Sequence, residues 1–343
     1  MVGKVVGIGT KAVLETEDQM STVRCHELPS ADHETALAAV VKFIDENDES
    51  WRVKAIVHRV VHGGEDLIDP IVVTAEAIER LEALAPLAPL HQPHNLAGIA
   101  ASRLLAPEAI DIACFDTAFH ARQHPLFRTY ALPREFRDQG IRRYGFHGLS
   151  YEWIARVLAK DYPQLAAGKV VAAHLGNGAS LCAMSGGRSI DTTMGMTALD
   201  GLPMGSRCGA LDPGVVTYLG RIGYEAERIE ALLYQESGLK GLSEVSNDVG
   251  TLLQSEAPSA HFALEYFVLK VAQFAAMMAV SMGGLDGLVF SAGIGENAAT
   301  IREGIVERLS LLAPFETIVI PANEEKMMAL HGRELLAKMA CAG

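Results

Sequence analysis

Apolar positions along the chain fall into two spacings. ETALAAVVKFIDEND, from Glu34, carries them at helical intervals, whereas VKAIVHRVVHGG, from Val53, is a continuous apolar run ending in paired glycines and predicts a buried strand. TAEAIERLEALAPLA, from Thr74, predicts a helix with a Thr cap, and AIDIACFDTAFH, from Ala109, a second strand. This alternation is α/β order. From Lys169 the pattern changes to three short strands (169–174, 179–184, 188–193) joined by tight turns, then helices near 213–221 and 225–235. A long apolar helix at 259–284, a strand in DGLVFSAGIGENA, a helix at 299–309, a strand in ETIVIP and a last helix opening on acidic residues complete the chain. No short repeat or low-complexity linker interrupts it, and the boundary between halves falls around GIRRYGFHGLSYEW.

With 343 residues, 49% of them hydrophobic, the chain has material for two domains and two cores. Its formal net charge of −13, with no Lys/Arg-rich block, argues against nucleic acid or a membrane surface as partner, so any phosphate must be gripped locally. The five cysteines are scattered, with no C-x-x-C, which fits a reducing compartment. MVGKVVGIGTKAVLE lacks a secretory apolar core, and a cytoplasmic location is expected. His261, Glu265, Lys270 and Gln273 interrupt the 259–284 segment and mark it as a core helix rather than a bilayer span.

Two glycine turns stand out. In HLGNG (174–178), glycines on either side of Asn177 would admit positive φ and bring bare amides close to an anion; the same residues also read as an ordinary Asn-Gly hairpin beside a core histidine. LVFSAGIGENAATIRE repeats the theme as strand, glycine turn and helix. Two such turns at apolar strand ends in one half favour nucleotide binding. His58, His62, His91, His94, His120, His147 and His174 are dense, and Arg59, Arg142, Arg143 and Arg207 accompany them. A metal site is one reading, but His58 and His62 lie about 13 Å apart along a strand, and His91 and His94 flank a proline. The other reading is a cationic pocket in which Arg59, Arg207, His147 and His91 face a small anion and a transferring phosphoryl group. Asp116 follows a strand, where α/β sheets place reactive groups and where an Asp also caps turns.

In order, HRVVHGGE (58–65), APLAPLHQPHNLAGI (85–99), FDTAFH (115–120), RRYGFHGLSY (142–151), HLGNGAS (174–180), DTTMGMTALDGLPMGSRCGALDP (191–213), ESGLKGLSEVSND (236–248), AGIGENA (292–298) and IPANEE (320–325) resemble the motifs of the acetate kinase family. The resemblance spans nearly the whole chain from about residue 34. It implies an α/β, two-lobed actin-like ATPase fold of duplicated ribonuclease H-like domains with a cleft between lobes. The first lobe would be 1–145 plus 323–343, on the acyl substrate side, and the second 146–322, binding nucleotide and forming a homodimer. The implied reaction is reversible transfer of the γ-phosphoryl of ATP, with Mg²⁺, to acetate, giving acetyl phosphate and ADP.

By the same resemblance, Arg59 and Arg207 hold carboxylate and phosphoryl group, His147 stabilises the transition state, and Asp116 orients the substrate and its arginines. Val61, Leu90 and Phe146 line a methyl pocket beside His91. His174, Leu175, Gly176, Asn177 and Gly178 touch phosphates; Asp248, Gly293, Ile294, Gly295, Glu296 and Asn297 flank the nucleoside; Glu324 helps bind Mg²⁺. Three positions depart from the family pattern. The family's opening Asn-x-Gly-Ser-Ser-Ser-x-Lys loop has no match, the chain therefore reading as a truncated or impaired start; Val249 and Gly250 replace residues near the adenine; and Ala198 replaces a proline of the acyl pocket. The competing expectations are a nucleotide-binding protein without turnover, a kinase preferring propionate, and a histidine-rich metal hydrolase.

Overall fold

In a computed structural model the alternating apolar runs fold into the expected mixed α/β order. The structure describes residues 2–8, 11–17, 23–29, 32–47, 52–89 and 91–342. Strands β1 (Val2–Val6), β2 (Val13–Glu17) and β3 (Val23–Glu27) precede helix α1 (His33–Asn47), β4 (Ala55–Val60), β5 (Ile71–Val72), α2 (Ala75–Ala83), α3 (Gln92–Leu105) and β6 (Ile110–Phe115). Short helices α4 (Pro125–Arg128) and α5 (Arg134–Asp138) lead to α6 (Gly148–Asp161) and α7 (Pro163–Ala167). The strands β7 (Lys169–Leu175), β8 (Ala179–Ser185) and β9 (Arg188–Thr192) come next. They are followed by α8 (Pro213–Arg221), α9 (Ala226–Gln235), α10 (Gly238–Ser243), α11 (Val249–Leu253) and α12 (Pro258–Met282). The chain continues through β10 (Gly287–Ser291), α13 (Ala292–Asn297), α14 (Ala299–Arg308) and β11 (Glu316–Val319) to α15 (Glu324–Ala342).

The chain divides into two compact units, the first comprising 1–62, 69–115 and 328–343, the second 63–68 and 116–327. In the first, β1, β2 and β3 form an antiparallel sheet, and a separate sheet has the order β4-β6-β5 with β4 parallel to β6. β6 is the buried strand, as its unbroken apolar run IACF requires. Thr74 caps α2 as its sequence predicts, its hydroxyl accepting from the Ala77 amide at 3.1 Å. His58 does not turn toward His62 in search of a metal. Its Nε2 lies 2.8 Å from Asp111 Oδ1, and Ser102 Oγ donates to the same carboxylate oxygen at 2.6 Å, which makes His58 part of a structural carboxylate cluster.

The second unit is built on a five-stranded sheet of order β11-β10-β7-β8-β9. β10 runs parallel to both β7 and β11, whereas β7, β8 and β9 form an antiparallel meander with a bulge at Ala183/Met184. Tyr151, Ile154 and Leu158 project from α6 at helical spacing and pack onto Val170, Ala172, Cys182, Met184 and Val289. α12 is long and apolar enough to cross a membrane by length and composition alone. Its residues Ala260, Ala263, Leu264, Phe267, Val271 and Ala275 nevertheless recur every three or four positions as a buried stripe, against β7, β8, β9, α10 and α14. Pro258 opens this helix and Gly283, at φ +69°, closes it.

The sequence reading expects AGIGEN to be a turn. In the structure those six residues are helical, so α13 begins directly at the end of β10. The reason lies at Ala292, whose φ of +66° makes the strand-to-helix change in one residue.

Ile154 is wholly buried in the α6 core. Replacing it with Ala removes three carbons from a close-packed site. The Ile154→Ala variant is expected to lose about 2–5 kcal/mol of stability, read as a lower urea midpoint at unchanged slope.

Candidate active site

The parallel pairing of β7 with β10 sets His174 opposite Ser291, so that both glycine segments emerge from adjacent strand ends. β7 and β8 pair as far as Leu175 and Ala179, leaving a three-residue loop closed by the Gly176 amide donating to Gly178 O at 3.0 Å. Positive φ is not what the glycines supply. The left-handed residues here are His147, at φ +58°, and Ala292; neither Gly176, Asn177 nor Gly178 is among them. What Gly178 supplies is room, because a β-carbon there would lie 3.3 Å from His147 Nε2 and 3.8 Å from Arg207 Nη1. At Gly176 it would stand 3.6 Å from Ala292 Cβ, which puts the two glycine segments in contact. Asn177 accepts the Gly205 amide through its carbonyl at 3.1 Å, tying the loop to the segment before Arg207.

His147 sits just ahead of α6. That helix begins so close to Asp116 that only Gly fits at position 148, and the Gly148 amide donates to Asp116 O at 2.8 Å. Asp116, buried, directly follows β6 as expected. The His147 ring stacks on His174, centroids 4.2 Å apart and planes 25° from parallel. His147 Nδ1 lies 2.8 Å from Ser180 Oγ, and Ser180 in turn bonds the buried Tyr151 hydroxyl. Burial pushes the Tyr151 phenol well above its usual range, so it keeps its proton. When Tyr151 donates to Ser180 and Ser180 to His147 Nδ1, the neutral ring's hydrogen lies on Nε2, on the side of Gly178 and Arg207. His174 Nδ1 bonds Ser150 Oγ at 2.8 Å and lies 3.9 Å from Glu324 Oε1.

Sequence reading missed Ser150, Tyr151 and Ser180. The signal was present: Ser150 and Tyr151 stand three and four places after His147 on a helix, and Ser180 faces His174 across the hairpin.

Arg207 is partly buried, and burial pushes its guanidinium below the usual range. Nη1 donates to Ala198 O at 3.1 Å and lies 3.7 Å from Met204 Sδ. Among the described residues no carboxylate pairs with it, so its charge is left for a ligand. The Met204 amide donates to Arg207 O at 3.0 Å, and the Leu239 and Lys240 amides donate to the Met204 and Gly205 carbonyls, which fixes this loop on α10.

Other candidates fall into place unevenly. In α13, Gly293 is open and exposed, Ile294 and Gly295 pass along the end of β10, and Asn297 Nδ2 donates back to Gly293 O at 2.8 Å. Glu296 Oε1 accepts the Ala322 amide at 2.9 Å, and Arg302 holds the Gly295 and Glu296 carbonyls. Asp248 is the N-cap of α11, accepting from the Thr251 amide at 2.7 Å; its neighbour Asn247 borders Gly205. Phe146 is buried, with its carbonyl held by His120 Nε2 at 3.0 Å. In the first unit Arg59 lies on β4, the Val61 amide donates to Asn95 Oδ1 at 3.0 Å, and His91 precedes α3. Leu90 lies outside the described residues.

His120 belongs to the scaffold. Its Nδ1 lies 2.7 Å from Ser189 Oγ and burial pushes its pKa down to about 4.

The fold and site define an α/β protein whose second unit gathers strand ends, glycine loops, paired histidines and a carboxylate-free arginine at one place. Residues 8–316 match the model of the acetokinase family. The chain is 52% identical to an acetate kinase of Rhodopseudomonas palustris strain TIE-1 over 323 residues, covering 87% of this chain and 81% of that protein. It is 46% identical to one of Methylocella silvestris over 332 residues, covering 90% and 82%. Among solved structures it is similar to Porphyromonas gingivalis acetate kinase (TM-score 0.84, 31% identity, 97% and 92% coverage). It is also similar to a Francisella tularensis propionate kinase (TM-score 0.87, 35% identity, 94% and 88% coverage). The chain belongs to the acetokinase family.

Two outcomes follow from this geometry. In ¹⁵N-detected NMR of the neutral protein, His147 is expected to show a protonated Nε2 and a bare, hydrogen-bonded Nδ1, and the Tyr151→Phe variant to mix the two tautomers. As pH falls from 6.5 to about 4, the unfolded chain gains a proton at His120 that the folded chain refuses. Stability is therefore complete above the unfolded pKa and falls by about 3 kcal/mol through this window, measured by urea titration at several pH values and absent in His120→Gln.

Proposed function

We propose that this protein is an acetate kinase, catalysing reversible transfer of the γ-phosphoryl of ATP to acetate to give acetyl phosphate and ADP. The observation that carries this reading is Arg207, a guanidinium with no carboxylate partner among the described residues, beside the Nε2 edge of His147, where two glycine segments meet. A carboxylate oxygen attacks the γ-phosphorus while the bond to the ADP oxygen breaks. Acetate is already ionised near neutral pH, so the step needs no general base and catalysis reduces to positioning and charge neutralisation.

In this reading Arg207 and His147 Nε2–H stabilise charge on the phosphoryl oxygens, Gly176 to Gly178 leave the phosphates space, and the 293–297 segment flanks the nucleoside. Arg59, Val61, Leu90, His91 and Phe146 serve the acyl substrate, and Asp116 orients it. The lobe expected at 1–145 with 323–343 would take the acyl substrate, and the one at 146–322 the nucleotide, pairing in a cytoplasmic homodimer; the compact units part earlier, after Phe115. Exposed Val215, Val216 and Tyr218 on α8, with Ile222 just after it, support such pairing.

Among the described residues no group of three or more His, Cys, Asp or Glu could hold a metal. Mg²⁺ in phosphoryl-transfer sites takes one or two carboxylates plus phosphate oxygens, and the hard oxygen donors of Glu324, beside His174, fit that demand. When bound, the ion would neutralise phosphate charge.

A second reading, propionate as substrate, is favoured by Ala198, whose carbonyl holds Arg207 and whose small side chain leaves space for a methylene.

The test is hydroxamate trapping of acyl phosphate with ATP, Mg²⁺ and acetate or propionate. Activity that falls at least about 100-fold in Arg207→Ala supports the kinase. Nucleotide binding with no turnover in the wild type would instead favour the non-catalytic reading. Ala198→Pro is expected to shift the acetate-to-propionate ratio of kcat/KM toward acetate by about 1–3 kcal/mol.

A further inference from the structure

A second cluster of positive charge lies outside the site described above, and it serves none of its steps. α4, the following Thr129, α5 and Arg142 enclose a cavity of about 210 Å³ lined by Arg128, Thr129, Arg137, Asp138 and Arg142. All of these residues belong to the second unit. On a chain of net charge −13, three arginines converging on one small cavity run against the overall field.

The negative charges nearby are already engaged. Asp138 Oδ2 lies 3.2 Å from Arg134 Nε, on the same helix, and Glu65 Oε1 lies 2.7 Å from Arg142 Nη2. Arg128 reaches only a carbonyl, Ala121 O at 2.6 Å, and its buried Nε makes no hydrogen bond. Among the described residues no hydrogen bond or ion pair holds the exposed Arg137 guanidinium. Burial, and after it repulsion from Arg142, disfavour the Arg128 charge, with Glu65 opposing them. Two guanidiniums facing a cavity, with donors to spare and a like charge next door, are an arrangement that an anion relieves. The volume points to a small anion: about 210 Å³ is below the roughly 300–1,000 Å³ of pockets that take drug-sized ligands.

We propose that this arginine-lined cavity binds a small phosphate-class dianion, either inorganic phosphate or a compact phosphate monoester, with Arg128 and Arg137 as its main contacts and the Thr129 hydroxyl as a further donor. The proposal is independent of the kinase reading, since it uses none of the residues assigned to acyl or nucleotide substrates. The site lies on the same stretch of chain as the His147 segment: the Arg143 amide donates to Arg128 O at 2.9 Å, between the cavity and residue 147.

The test is isothermal titration of the full chain with inorganic phosphate and, separately, glycerol 3-phosphate, at constant ionic strength. Saturable one-site binding is expected, weakened roughly ten-fold in Arg137→Ala and in Arg128→Lys, which keeps a charge near Ala121 but loses the planar fork. The same event should survive in Arg207→Ala, and the tighter of the two probes identifies the source of the phosphate. Affinity unchanged in both cavity variants would overturn the proposal. So would loss of the event in Arg207→Ala, which would put the phosphate at the candidate active site, or equal heats from chloride, which would reduce the effect to screening. Circular dichroism of each variant separates lost binding from lost folding, and Arg137, exposed and unbonded, carries no structural load.

Discussion

The pairing of β7 with β10 is the constraint on which the second unit's chemistry depends. These strands are far apart in sequence, and their parallel register puts His174 level with Ser291. Because both strands end on the same side, the loop after β7 and the helix after β10 must compete for one small space. Small residues at 176, 178 and 292 resolve the competition, and the space they leave open is bordered by His147 and Arg207. A one-residue slip of the register would reverse the faces of every side chain on β10 and take the glycine segments apart.

Around that space the polar groups are ordered by burial. Tyr151 and Ser180 are shielded from water, so their hydroxyls bond each other and His147 rather than solvent. One consequence is directional. With Ser180 donating to Nδ1, the imidazole presents a donor, not an acceptor, toward the place where an anion would sit. His120, although equally histidine and only a few residues from Asp116 in sequence, is put to the opposite use: both of its nitrogens are consumed by Ser189 and Phe146, and burial keeps it neutral. Chemistry and scaffolding are thus separated by hydrogen-bond partners and not by residue type.

Charge follows the same logic. Several arginines of the second unit have carboxylate or multiple carbonyl partners, as Arg143 does with Asp200 and three backbone oxygens. Among the described residues the partly buried Arg207 and Arg128 have no such partners. A guanidinium is costly to bury without a counter-charge, and on an acidic chain such residues are retained where a mobile anion can supply it.

The sequence by itself determined the order of elements, because apolar spacing depends on local geometry that neighbouring residues carry: the Thr74 cap, the β7 to β9 meander, the α12 stripe and the strand position of Asp116 were all legible. Its ordered motifs also determined the family. The tertiary structure alone decided that AGIGEN is helical, that Gly178 provides room and not backbone freedom, that Asp248 caps a helix, and that Ser180 and Tyr151 orient His147. Those facts depend on what lies across the sheet or on a neighbouring helix. A residue's hydrogen-bond partner and the space around it are set by chain segments distant in sequence, and no local pattern encodes them.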